Sequence, residues 1–197
     1  MSPAEAAVKS RSERAARLTR IRRVSRLMKW FVTLFMMLLL ATLVLTIAAV
    51  YSPESFDAAG EIIELGDFER RLGDIPLEQR MLTMGLLGLA FGILFVICWQ
   101  VRRLFEFLRQ GDFFSPRTLS CFVAIGLWLI AFGILEILID PIASYLLTLD
   151  MPDGQRVFDI SLDGGELFFG IVGGLMIVFG WTLREAAAIA EENRQFV

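Results

Sequence analysis

The chain has 197 residues, 56% of them hydrophobic, with 17 Phe, no His and a formal net charge of −3. The absence of His removes the commonest general base and metal ligand at neutral pH, so metal catalysis would have to rely on carboxylates and two cysteines. The length leads to the expectation of a single domain, without a separate soluble catalytic one.

Residues 1–29 form a basic arm with nine Lys or Arg against Glu5 and Glu13. On a helix, Leu18, Ile21, Val24 and Met28 fall roughly on one side, with Arg14, Arg17, Arg20, Arg23 and Arg26 beside it. Such an amphipathic helix suits anionic lipid at a membrane surface. No aromatic residue accompanies the arginines before Trp30, so direct contact with nucleic acid is not expected.

Residues 30–51 form the first of four long apolar runs, followed by 81–101, 118–139 and 165–183. At a rise of about 1.5 Å per residue, a run of roughly 20 residues crosses a hydrocarbon core of about 30 Å. The first run exceeds the apolar length usual in a cleaved signal peptide, so it is read as a retained anchor. An all-α membrane protein of four transmembrane helices follows, arranged as two hairpins with amphipathic ends beyond the membrane.

The first loop, 52–80, carries eight acidic and three basic residues and is broken by Gly60, Gly66, Gly73 and Pro76. Short strands or turns are expected there, including one around Glu61 to Leu65. The inner turn, 102–117, is basic again, with four basic and two acidic residues. Gly111 is a natural helix stop, and Ser115-Pro116 reads as an N-cap followed by Pro at the first helical position. The second loop, 140–164, starts where Pro141 is expected to end or kink helix three, and Val157 to Leu162 alternates like a short strand. From 184 to 197 a C-terminal helix continues the fourth span. Basic residues near span ends resist translocation, which predicts both termini and the inner turn in the cytoplasm and both acidic loops outside.

The stretch Leu108-Arg109-Gln110-Gly111-Asp112-Phe113-Phe114-Ser115-Pro116-Arg117, with Ile125-Gly126 in the third span, resembles the central motif of the domain of unknown function 2975 family. The ending Trp181-Thr182-Leu183-Arg184-Glu185-Ala186 through Ile189-Ala190-Glu191-Glu192-Asn193-Arg194-Gln195-Phe196-Val197 is similar to that family's ending. The resemblance implies a four-span prokaryotic protein of the bacterial cytoplasmic membrane, uncharacterised in activity. Members are often encoded beside a small helix-turn-helix regulator, which implies a regulatory pairing.

Three sets of residues are candidates for function. The inner turn (Gly111, Phe113, Phe114, Ser115, Pro116) and the tail (Glu185, Glu191, Glu192, Asn193) are candidate surfaces for a cytoplasmic protein partner. Gly88/Gly92 and Gly170/Gly174 fit the G-x-x-x-G spacing that brings helices close, within one bundle or across a homodimer. Glu136 and Asp140, four residues apart on one helix face, are either interfacial anchors or ion-coupling groups of a small transporter or channel subunit. Cys98 and Cys121, near the inner ends of neighbouring spans, read as apolar packers or a redox pair. No nucleophile with a base, no metal set and no cofactor motif can be assembled. A non-enzymatic regulatory or partner-binding membrane protein is the first expectation and a transporter or channel subunit the second.

Overall fold

The computed structural model describes residues 3–56, 60, 62–65, 68–113, 115–152, 156 and 164–195. Four helices carry the fold: α1 (Pro3–Tyr51), α2 (Leu77–Gln110), α3 (Pro116–Leu147) and α4 (Gly164–Gln195). All four are long and apolar enough to cross a membrane. At 49 residues α1 measures about 74 Å, and the others about 48 to 51 Å, so every helix outruns a hydrocarbon core of about 30 Å. The basic arm and the first span are one continuous helix. Neither Gly nor Pro occurs between Ala4 and Val50, so nothing in the sequence marks a hinge between them.

The breaks between helices follow local chemistry. Ser52 precedes Pro53, which disfavours the helical conformation, and the amide of Ser52 makes the last helical bond, to Ala48 O at 3.0 Å. At the other end of the molecule Gly111 takes φ 86°, a left-handed conformation in which a side chain is strained. Its amide donates to Leu108 O and that of Asp112 to Phe107 O, the paired bonds of a Schellman ending. Ser115 Oγ accepts from the Thr118 amide at 3.3 Å, and Pro116 opens α3.

The first loop carries an antiparallel hairpin, β1 (Ile62–Leu65) and β2 (Phe68–Arg71), in register Ile62 with Arg71 and Leu65 with Phe68. The strand expected around Glu61 to Leu65 is therefore β1. The strand expected over 157–162 lies outside the described residues, as does Phe114 of the inner turn. Pro141 does not end α3, which runs on through it to Leu147. Tertiary packing overrides the local preference here. Leu147 and Ile75 are buried against one another, and Ser144 and Thr148 are buried beside them. Thr148 Oγ1 donates to Ser144 O at 2.8 Å, which closes the last turn.

The principal helix interfaces join α1 to α2, α2 to α3 and α3 to α4, so the bundle is assembled in chain order as two hairpins meeting along α2 and α3. Ala90 and Ile97 of α2 pack on Phe132 of α3, whose ring meets Phe169 of α4 edge to face with centroids 5.0 Å apart. Leu104, Cys121 and Ile125 form a second cluster nearer the inner turn. Cys98 and Cys121 are both buried and free.

The close approaches of α3 and α4 fall on glycines other than the two G-x-x-x-G pairs. A Cβ on Gly126 would lie 2.5 Å from Gly173 O, and one on Gly173 would lie 2.7 Å from Gly126 O. Gly133 meets Glu166 O and Gly180 meets Val123 in the same way. Gly88, Gly92, Gly170 and Gly174 face open space within the chain, so close packing inside the bundle is not their role. The reason is the antiparallel pairing of α3 with α4, in which small residues recur every two turns along the seam.

Candidate functional site

The two ends of the bundle differ in charge and in what they bring together. At the arginine-rich end, the last turns of α2 pack against the junction of arm and span in α1. Lys29 Nζ reaches Glu106 Oε2 at 2.8 Å, and Arg109 reaches Glu106 Oε1 at 2.6 Å. Arg102 Nε donates to Thr33 Oγ1 at 3.0 Å, and its guanidinium lies over the Trp99 ring. Ser25, a polar residue of the arm, is buried, and an Arg22 nitrogen lies 3.8 Å from where a Gly111 Cβ would be. The stretch from Arg22 to Lys29 therefore rests on α2 and the inner turn. Between the two helices opens a cleft of about 360 Å³ lined by Arg26, Lys29, Trp30, Thr33, Arg102 and Arg109.

The inner turn beside this cleft is locked. Thr118, fully buried, donates from Oγ1 to Asp112 O at 2.7 Å and lies 3.2 Å from Ser115 Oγ. Gly111, Ser115 and Pro116 thus have structural duties in closing the turn, while Phe113 is half-buried. The tail differs. Arg184, Glu185, Glu191, Glu192 and Asn193 are all exposed on α4, and Ile189 is 52% exposed. At the base of the tail a groove of about 500 Å³ runs between the start of α3 and the end of α4, with Pro116, Ser120, Trp181 and Arg184 in its walls.

At the acidic end a cavity of about 430 Å³ lies among α2, α3 and α4. Glu136 and Asp140 both line it, together with Glu166 of α4 and the apolar Leu87, Phe91 and Phe132. Their i, i+4 spacing does put the two acids on one face, as a helix requires. Glu166 is the member that sequence reading passed over. It stands at the head of a different span and is brought across by the pairing of α3 with α4, in which Gly133 meets Glu166 O. One of its oxygens, Oε2, is buried without a hydrogen-bond partner. Among the described residues no group of three His, Cys, Asp or Glu has the geometry to hold a metal ion.

The loops above this cavity are tied down by Arg70 of β2. Its guanidinium grips Asp150 with two bonds, 2.7 and 2.5 Å, and also donates to Leu147 O and Asp74 O. The fork geometry of Arg suits such a clamp. The hydrogen bonds from Arg70 hold the Asp150 carboxyl well below the usual carboxylate range.

The sequence model of a family described as protein of unknown function (DUF2975) matches residues 72–196. That region begins just after β2 and takes in α2, α3 and α4. No curated protein and no solved structure matches the chain.

Proposed function

Because the chain belongs to this DUF2975 family of unknown function, we propose a role from its own geometry: a non-enzymatic protein of the bacterial cytoplasmic membrane that holds a soluble partner at its arginine-rich end. Both termini face the cytoplasm in this reading. The carrying observation is the tail. Twelve residues from Arg184 to Gln195 continue α4 past its apolar span, with exposed side chains from Arg184 to Ala186 and again from Ala188 to Asn193. A surface helix normally buries one face. Here Ile189 stands free for a partner, and the groove at the helix base supplies a second foothold. Glu185, Glu191 and Glu192 favour a basic partner surface. A small helix-turn-helix regulator, the kind of neighbour the family resemblance implies, has that character because it binds nucleic acid.

The cavity with Glu136, Asp140 and Glu166 favours a second reading, a small transporter or channel subunit that passes a proton or cation at its acidic end. One experiment separates the two. A tagged copy is crosslinked in its native host, purified in mild detergent and analysed by mass spectrometry, alongside a chain truncated after Leu183 and a Glu136→Gln variant. A DNA-binding regulator is expected with the full chain and with Glu136→Gln, and is lost on truncation. Recovery of only this protein, or of another transporter component, sinks the tether and leaves the carboxylate cavity as the working site.

A further inference from the structure

We propose that the cleft between α1 and α2 at the arginine-rich end is a binding site for the phosphate group of an anionic phospholipid headgroup, with Arg26, Arg102 and Arg109 as its ligands. Four cations and no carboxylate line the cleft. The nearest acid, Glu106, is already engaged by Lys29 and Arg109 at 2.8 and 2.6 Å, which leaves the cluster with a large excess of positive charge. Donors also stand unused. Arg109 commits one terminal nitrogen to Glu106, and its Nε has no acceptor. Arg102 spends Nε on Thr33, so its terminal nitrogens remain for the ligand.

The position of the cleft selects a lipid over a free anion. Trp30 begins the apolar run of α1, and Val101 closes that of α2, so the cleft lies where the hydrocarbon gives way to headgroups. Trp30 lines the cleft and Trp99 lies under the Arg102 guanidinium, and both indoles, 69% and 46% exposed, suit the headgroup region. A phosphodiester at this depth, with its acyl chains running down the exposed face of α1, meets the arginines without leaving the bilayer. Arg guanidinium forks match phosphate oxygens in geometry as well as charge.

Native mass spectrometry of the full chain in mild detergent tests the site, with phosphatidylglycerol, phosphatidylcholine and inorganic phosphate as separate probes. One phosphatidylglycerol is expected to stay bound where phosphatidylcholine does not. Arg102→Gln and Arg109→Gln should each weaken retention about fivefold, the factor that one cation near a membrane surface contributes. Arg103→Gln, on the same helix but outside the cleft, should leave it unchanged, and Arg102→Lys should restore much of it in a monodisperse protein. Equal retention of the two lipids, or equal losses in Arg102→Gln and Arg103→Gln, overturns the site. So does binding of inorganic phosphate that phosphatidylglycerol fails to displace.

Discussion

Gly126 and Gly173 touch backbone to backbone, and each stands where the other's carbonyl leaves no room for a methyl group. Replacing either by Ala forces α3 and α4 apart, at a cost on the order of 1–3 kcal/mol for overpacking. Gly88→Ala and Gly170→Ala enter open space and gain helix propensity, so they should change stability by no more than about 1 kcal/mol. Unfolding of the four variants in detergent, followed by circular dichroism, measures the contrast; equal losses at all four positions would show that the α3–α4 seam is elsewhere. The sequence singles out glycines of α2 and α4 by the G-x-x-x-G spacing. The contacts that form use glycines seven apart, Gly126 with Gly133 and Gly173 with Gly180, and which face meets which partner is set by the hairpin. Spacing within one helix carries no record of that choice.

Single elements were legible where their chemistry is local. Gly111, Ser115 and Pro116 define the inner turn within six residues, and each does in the structure what its type predicts. Arg70 was not legible, because its partner Asp150 is 80 residues away and nothing in an acidic loop marks one arginine as a clamp. Helix α3 shows the same limit at Pro141, where burial of Leu147 against Ile75 carries the helix past a breaker. The clamp has a pH signature. Because the Asp150 carboxyl is held low in the fold, its stabilisation is full above the ordinary carboxylate range of about 4 and is lost as pH falls through the folded value. The stability difference between wild type and Asp150→Asn should therefore be constant from neutral pH down to about 5 and shrink below about 4. Thermal unfolding across that range checks it, and a difference that does not vary with pH would mean that the clamp adds nothing. The clamp is partly solvent-screened, so the effect is small.

For the whole molecule, the four spans were the clearest reading of the sequence, since an apolar run of about 20 residues has few alternatives. The orientation rests on charge: basic arm and turn at one end, acidic loops at the other. With Cys98 and Cys121 replaced by Ala, Ser55→Cys should react with an impermeant thiol reagent in intact cells, and Ala188→Cys only after the membrane is opened. Both sites are exposed on the protein, so the reverse pattern would invert the proposed topology and move the tail to the far side. The candidate sites were less legible than the spans. The acidic cavity draws Glu136, Asp140 and Glu166 from two helices, and the arginine cleft draws on α1 and α2, so both arise only from pairings that the linear sequence leaves open.

The chain-order packing leaves α1 with α2 as its principal protein neighbour, and Leu34, Phe31, Met37 and Leu38 are each more than half exposed. In a bilayer that surface is solvated by acyl chains, so lipid supplies much of the surroundings of α1. The position of α1 is accordingly a property of protein and solvent together. Membrane thickness and fluidity act on this helix more directly than on the glycine-sealed pair α3 and α4, and a detergent that replaces lipid around α1 removes part of its scaffold while leaving the seam at Gly126 and Gly173 intact.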